Sequence, residues 1–242
     1  MWKSLIFGLV CILSVPFAIA QNEDHVMGGK FSKHIEYNLI WPLLSSKDDL
    51  EKLFFGDFNA PLEFFYEHSS NGTLSAFRVV RDTLINFYML ESKCVSNYKE
   101  AVAVAHNKYP WPASGYQTNK DSIDLINKQH KERLKKFDEE LAKLSKVESR
   151  TIAVSDLFAE KLYEKTVSVI DNFKARGYPL TMTGGFWVTF RNIVDDEMWS
   201  LKIQEPRGNT LKLAKICIKI LEESTDTGQL NESMYIQLLD DF

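Results

Sequence analysis

Two hydrophobic periods divide this chain between them. In Phe186–Ile193 the residues Phe186, Val188 and Phe190 alternate with Trp187, Thr189 and Arg191, and Trp199, Leu201 and Ile203 alternate likewise in Met198–Gln204. A period of two marks a strand with one buried face. The intervening Val194-Asp195-Asp196-Glu197 has the composition of a hairpin turn. Ala76–Asp82 and Phe87–Val95 predict an earlier hairpin, joined through the unusually apolar Leu84 and Ile85. The aromatic run Pro61–His68 predicts a further strand, closed by the turn residues Ser69-Ser70-Asn71-Gly72.

Helical spacing governs much of the rest. Tyr98–Lys108 and Leu211–Glu223 predict one helix after each hairpin, and Ser46-Lys47-Asp48-Asp49 opens a shorter one that stops at Gly56. The longest is Ser122–Val147, where Ile123, Ile126, His130, Leu134, Phe137, Leu141 and Leu144 make a single narrow seam. Its remainder is charged, with Glu132 to Lys136 and Glu139 to Lys143 in the favourable i,i+4 order. The seam fits a partly exposed helix lying on a sheet. The rival coiled-coil reading would make the chain a homodimer and is not favoured. Ser155-Asp156 caps a second long helix running to Arg176, with Gly177 and Pro179 as its stop.

These elements predict an α+β fold of antiparallel strand pairs with helices packed mainly on one face. The order strand, strand, helix recurs in 60–110 and 180–224, a weak pseudo-repeat of architecture separated by a helical linker, 121–177. One globular domain, 46–242, is expected behind an N-terminal arm, 21–45.

Residues 1–20 read as a signal peptide. Lys3 precedes an apolar run from Leu5 to Val15, and Ala18-Ile19-Ala20 offers a cleavage site before Gln21. The run is too short to span a bilayer, and Val10 before Cys11 is not a lipoprotein context. The protein is therefore expected to be exported, periplasmic or secreted, with no membrane attachment after cleavage. The net charge of −4 becomes one unit more negative when Lys3 leaves, which disfavours nucleic acid and gives no attraction to anionic lipid.

Export makes a disulfide chemically allowed between the two remaining cysteines, Cys94 and Cys217. Helical periodicity turns Cys217 away from the polar stripe Lys212, Lys215, Lys219 and Glu222, and strand alternation puts Cys94 opposite Glu91 and Lys93. Both point inward. A bridge closing so long a loop would contribute about 4–5 kcal/mol, and two buried unbridged thiols are the equal alternative.

Catalytic motifs are missing. None of His25, His34, His68, His106 and His130 has another histidine within four residues, and neither His-Glu-x-x-His, Cys-x-x-Cys nor Gly-x-Ser-x-Gly occurs. No metal and no cofactor is expected. Asp195-Asp196-Glu197 lacks the spaced oxygens of a calcium loop and reads as a solvated hairpin tip. Gly184-Gly185 precedes a strand, where a phosphate loop would precede a helix. Asn71 and Asn231 fit the glycosylation pattern.

One segment has the character of a contact surface. Tyr109-Pro110-Trp111-Pro112-Ala113-Ser114-Gly115-Tyr116 mixes aromatics with prolines, which hold Trp111 and Tyr116 with little freedom left to lose on binding. The competing expectation is that Trp111 folds back over the core. The chain resembles no family with a known activity. The leading expectation is an exported, non-catalytic protein that binds a protein or small ligand through a sheet face or this loop. An exported hydrolase with a dispersed active site and an inhibitor or immunity-type protein are the alternatives.

Overall fold

The computed structural model of the protein describes residues 31–37, 53–56, 60–68, 72–82, 86–110, 120–174 and 185–242. Residues 1–20, read as a signal peptide from the sequence, the expected Ala20/Gln21 cleavage site, Trp111, Tyr116 and Asn71 lie outside the described residues. The strands are β1 (Phe31–Tyr37), β2 (Leu62–His68), β3 (Thr73–Asp82), β4 (Phe87–Val95), β5 (Val147–Val154), β6 (Phe186–Val194) and β7 (Glu197–Gln204). The helices are α1 (Tyr98–Lys108), α2 (Lys120–Leu144), α3 (Asp156–Asp171), α4 (Gly208–Thr227) and α5 (Glu232–Asp240).

All seven strands join one sheet in the order β1-β7-β6-β2-β3-β4-β5. Every pairing is antiparallel except β1 with β7. β2 is the central strand, paired along its whole length with β3 on one side and β6 on the other. Alternation then assigns its side chains, with Leu62, Phe64 and Tyr66 on one face and Glu63, Phe65 and Glu67 on the opposite face.

The first face carries the main core. The Phe64 ring lies 5.4 Å from that of Phe77 and 5.2 Å from that of Phe190, the residues opposite it on β3 and β6. Over this layer pack Phe158 and Leu162 of α3, Leu213, Cys217 and Ile220 of α4, and Tyr235 and Leu239 of α5. The second face carries a smaller cluster in which Phe65, Leu74 and Ala76 meet Tyr98, Ala101 and Ala105 of α1 and Leu141 of α2. Phe137 and Leu144 pack against it, so this part of the predicted seam is satisfied within the chain.

The two strand–strand–helix units flank β2, β3-β4-α1 on one side and β6-β7-α4 on the other. β3 and β6 are both antiparallel to β2 and therefore run parallel to each other. A rotation that exchanges them about the axis of β2 also exchanges the two faces. That is why α1 packs on the second face and α4 on the first. The relation stops at the edges, where β5 is antiparallel to β4 but β1 is parallel to β7.

Several boundaries differ from the sequence expectation. The stretch 21–45 expected as an arm contains β1, which belongs to the sheet. Val147, expected at the end of the long helix, instead opens β5, whose Val147, Thr151, Ile152 and Val154 are β-branched. The second long helix ends at Asp171, five residues before Arg176, where the Asn172 side chain donates back to the Ser168 carbonyl at 3.0 Å. The last helix, α5, went unpredicted. The side chain of Asn231, one of the two glycosylation-type asparagines, accepts from the Met234 amide as its N-cap. The Asp195-Asp196 hairpin was legible, and its two φ angles of 50° and 62° are those of the turn type that matches strand twist.

Phe64→Ala should cost about 3–5 kcal/mol, because it empties a site with aromatic neighbours on two strands. Urea unfolding followed by circular dichroism checks this.

Candidate functional site

The aromatic–proline segment begins where α1 ends. Tyr109 precedes Pro110 and so is pushed out of helical geometry, to φ −126° and ψ 71°, while its amide still reaches the Ala105 carbonyl. From α2, Arg133 clamps this exit. Its Nη2 donates to the Tyr109 carbonyl at 2.5 Å and its Nε to the Pro110 carbonyl at 2.8 Å. The fork geometry of a guanidinium suits two carbonyls on adjacent residues.

Between α1 and α2 the clamp leaves an open cleft of about 340 Å³. Tyr109, Pro110 and Gln129 line it together with the charged Lys108, Glu132, Arg133 and Lys136. Three cations against one carboxylate make it basic, in a chain whose overall charge is acidic. Lys108 is held by Glu140 of α2 at 2.8 Å, which raises its pKa, and its Nζ lies 5.7 Å from the centre of the Tyr109 ring. Partial burial lowers the Arg133 pKa and Asp138 opposes the shift, so the guanidinium remains charged. Chemically the arrangement can receive an anionic group beside an aromatic ring.

A second polar feature crosses the other end of the same sheet face. The ladder register places His34, Ser200, Arg191, Glu63, Arg78 and Glu91 in one row running from β1 to β4. Arg78 and Glu91 pair at 2.6 Å, whereas Arg191 and Glu63 stand 3.9 Å apart. Glu63 and Ser200 are fully buried and Arg191 nearly so. The Arg191 guanidinium also lies over the Phe65 ring at 4.9 Å. Next to the row, Glu67 accepts from the buried Tyr98 hydroxyl at 3.1 Å. Single residues of this row read as the polar half of each strand's alternation, and only the register reveals them as one row, buried at Glu63, Arg191 and Ser200 and partly buried at His34, Arg78 and Glu91.

The described histidines are dispersed. His68 stacks on Phe186 at 6.2 Å on the first face, His106 meets the edge of Phe137, and His34 belongs to the polar row. None of them lines the cleft, and His130 does not line it either. Among the described residues no group of three or more His, Cys, Asp or Glu could hold a metal ion, and no helix is long and apolar enough to cross a membrane. Trp187, on β6, is half-buried opposite Glu67 and Gln204.

The two cysteines both face the main core side, as their spacing predicted, but they are free thiols. Cys94 pairs with Glu148 in the ladder, two residues from Arg150, whose guanidinium donates to the Asp226 carbonyl at 3.3 Å, so Cys94 lies toward the C-terminal end of α4. Burial raises its pKa, with Glu148 and Asp226 adding to it. Cys217 lies nine residues before Asp226, so the helical rise sets it about 13 Å further along. A disulfide needs α-carbons within about 7 Å. Position along α4, a coordinate that facing direction alone does not supply, sets the two free thiols apart in this structure.

Comparison with known proteins gives no match: no family, no curated protein and no solved structure resembles the chain.

Two measurements follow. In the native protein a thiol reagent should modify Cys94 slowly and spare the wholly buried Cys217; unfolding without reductant should then expose both thiols, whereas a bridged pair would expose none. Burial also raises the pKa of Tyr66, Tyr98, Tyr163 and Tyr235, with nearby carboxylates adding to it. Raised acids stay protonated in the folded state while the unfolded chain ionises, so this stability is complete below the unfolded values of 9.0 for thiol and 10.0 for phenol and is lost above them. Urea midpoints measured in a series from neutral to alkaline pH should fall once the solution passes those values.

Proposed function

We propose that the protein is an exported, non-catalytic binding protein that receives an acidic group of a protein or small ligand in the cleft between α1 and α2. The observation that carries the reading is the cleft itself: a basic recess of about 340 Å³ in an acidic chain, at the root of the aromatic–proline segment. Its volume is that of a small-ligand site or of a pocket for one anchoring side chain. Its partners would be chosen by charge first, since Lys136 and Arg133 attract carboxylates over several ångströms before contact is made.

Preorganisation supports the same reading. Arg133 spends two hydrogen bonds holding the backbone of Tyr109 and Pro110, so the start of the contact segment is fixed before anything binds. In this reading Trp111 and Tyr116, further along the segment, supply aromatic contacts to the part of the ligand beyond its acidic group. Export supplies the setting, in which the cleft meets molecules outside the cytoplasm.

Titration calorimetry of the mature protein with a short oligoglutamate peptide tests the proposal. Binding should weaken as salt is added, and Lys136→Glu should weaken it by at least tenfold without changing the circular dichroism spectrum. Trp111→Ala should weaken it as well. Absence of any heat with the peptide at low salt, or a Lys136→Glu protein that binds as well as the native one, overturns it.

A further inference from the structure

Among the described residues, no strand pairs with the outer edge of β5. β5 ends the strand order, and Glu148, Ser149, Arg150 and Thr151 in its middle are all exposed although they alternate between the two faces. Exposure on both faces puts these four residues outside the packed core, which β5 joins only at Val147, Ile152 and Val154. The strand is also regular, with eight consecutive residues pairing β4 in unbroken register from Val147 to Val154. It carries no proline and no bulge, the devices that keep sheet edges from pairing. Its two charges, Glu148 and Arg150, cancel.

We infer that β5 pairs antiparallel with β5 of a second copy of this chain, joining two sheets into one. The symmetry of such a pairing restricts the register. A two-fold axis perpendicular to the sheet must keep opposing side chains on the same face, so it passes through a residue and not between two. An axis through Glu148 sets Glu148 against itself, and one through Arg150 sets Arg150 against itself; like charges directly opposite are destabilising. An axis through Ser149 sets Glu148 of each copy opposite Arg150 of the other, twice over. It also sets Val147 opposite Thr151, a β-branched pair. Charge complementarity therefore selects the register centred on Ser149, with a second copy of the chain as the partner.

Arg150 is already poised for this. Its Nη1 donates to the Asp226 carbonyl at the end of α4 at 3.3 Å, which holds the guanidinium on the first face, where Glu148 also lies. The pairing is independent of the cleft, which lies along the middle of α2, about two turns before its junction with β5.

Sedimentation velocity of the mature protein over a concentration series should show a monomer–dimer equilibrium. Arg150→Glu sets carboxylates against each other at both ends and should raise the dissociation constant at least tenfold, and the exchanged pair Glu148→Arg with Arg150→Glu should restore it. Oxidation should cross-link Ser149→Cys to its own mate but leave Thr151→Cys, whose opposite residue is Val147, as a monomer on a non-reducing gel. A protein that stays monomeric at every concentration, a dimer indifferent to the single charge reversal, or equal cross-linking at both positions overturns the inference.

Discussion

The molecule is organised by a constraint on one strand: β2 has both edges paired and both faces covered. Leu62, Glu63, Phe64 and Phe65 are all buried in succession, which no amphipathic strand with a solvent face would allow. A strand so enclosed must find a separate cover for each face. The chain meets this with two unequal helical layers, α3, α4 and α5 over the aromatic row of Phe64 and α1 with α2 over Phe65. The rotation about β2 that relates the two hairpin units expresses the same constraint, since equivalent units built from its two edges deliver their helices to opposite sides.

The second face would be expected to be as apolar as the first, yet it carries a file of charge from Arg191 through Glu63 and Arg78 to Glu91. Buried ion pairs recover little net stability, because desolvation offsets most of the attraction. What the file does contribute is register. Slipping β2 by one residue would move Glu63 into the aromatic layer between Phe77 and Phe190 and leave Arg191 and Arg78 facing Leu62. Opposite charges on three neighbouring strands penalise every such slip. The long-range hydrogen bonds from Asn192 to Thr166 and from Tyr163 to the Ile193 carbonyl then fix α3 to the same register.

The cleft depends on this frame at one remove. α2 is anchored to the sheet at its C-terminal half by Leu141, and its end is tied through Asn97, which donates to the Leu144 carbonyl and accepts from the Lys146 amide. Arg133 lies two turns before Leu141 on the same helix, close enough to inherit its position and far enough to leave the packed layer. The result is a charged recess on a rigid support, at the start of the aromatic–proline segment.

How much of this could be read in advance varies by element. The hairpins β3-β4 and β6-β7 and helix α1 were legible because their periods are local, set by which residues three or four positions away share a face. β5 escaped for the same reason: as an edge strand exposed on both faces it has no clean alternation, and only its β-branched content hinted at extension. β1 was missed because its partner, β7, lies more than 160 positions away. The inward direction of Cys94 and Cys217 was correctly read, yet direction does not give position along a helix, and that was what kept them apart.

The amino-acid sequence by itself therefore determined the α+β class and most strands and helices, with the inward side of each, and it marked the aromatic–proline segment as distinctive in composition. Tertiary structure alone decided that seven strands make one sheet, that scattered glutamates and arginines form one partly buried file, and that Arg133 meets Pro110 to shape a basic cleft. The physical reason is range. Backbone periodicity and turn geometry act over a few residues and leave their mark in the order of the side chains. Register between distant strands is settled by packing and charge pairing across the whole fold, where any one residue carries only a fraction of the preference.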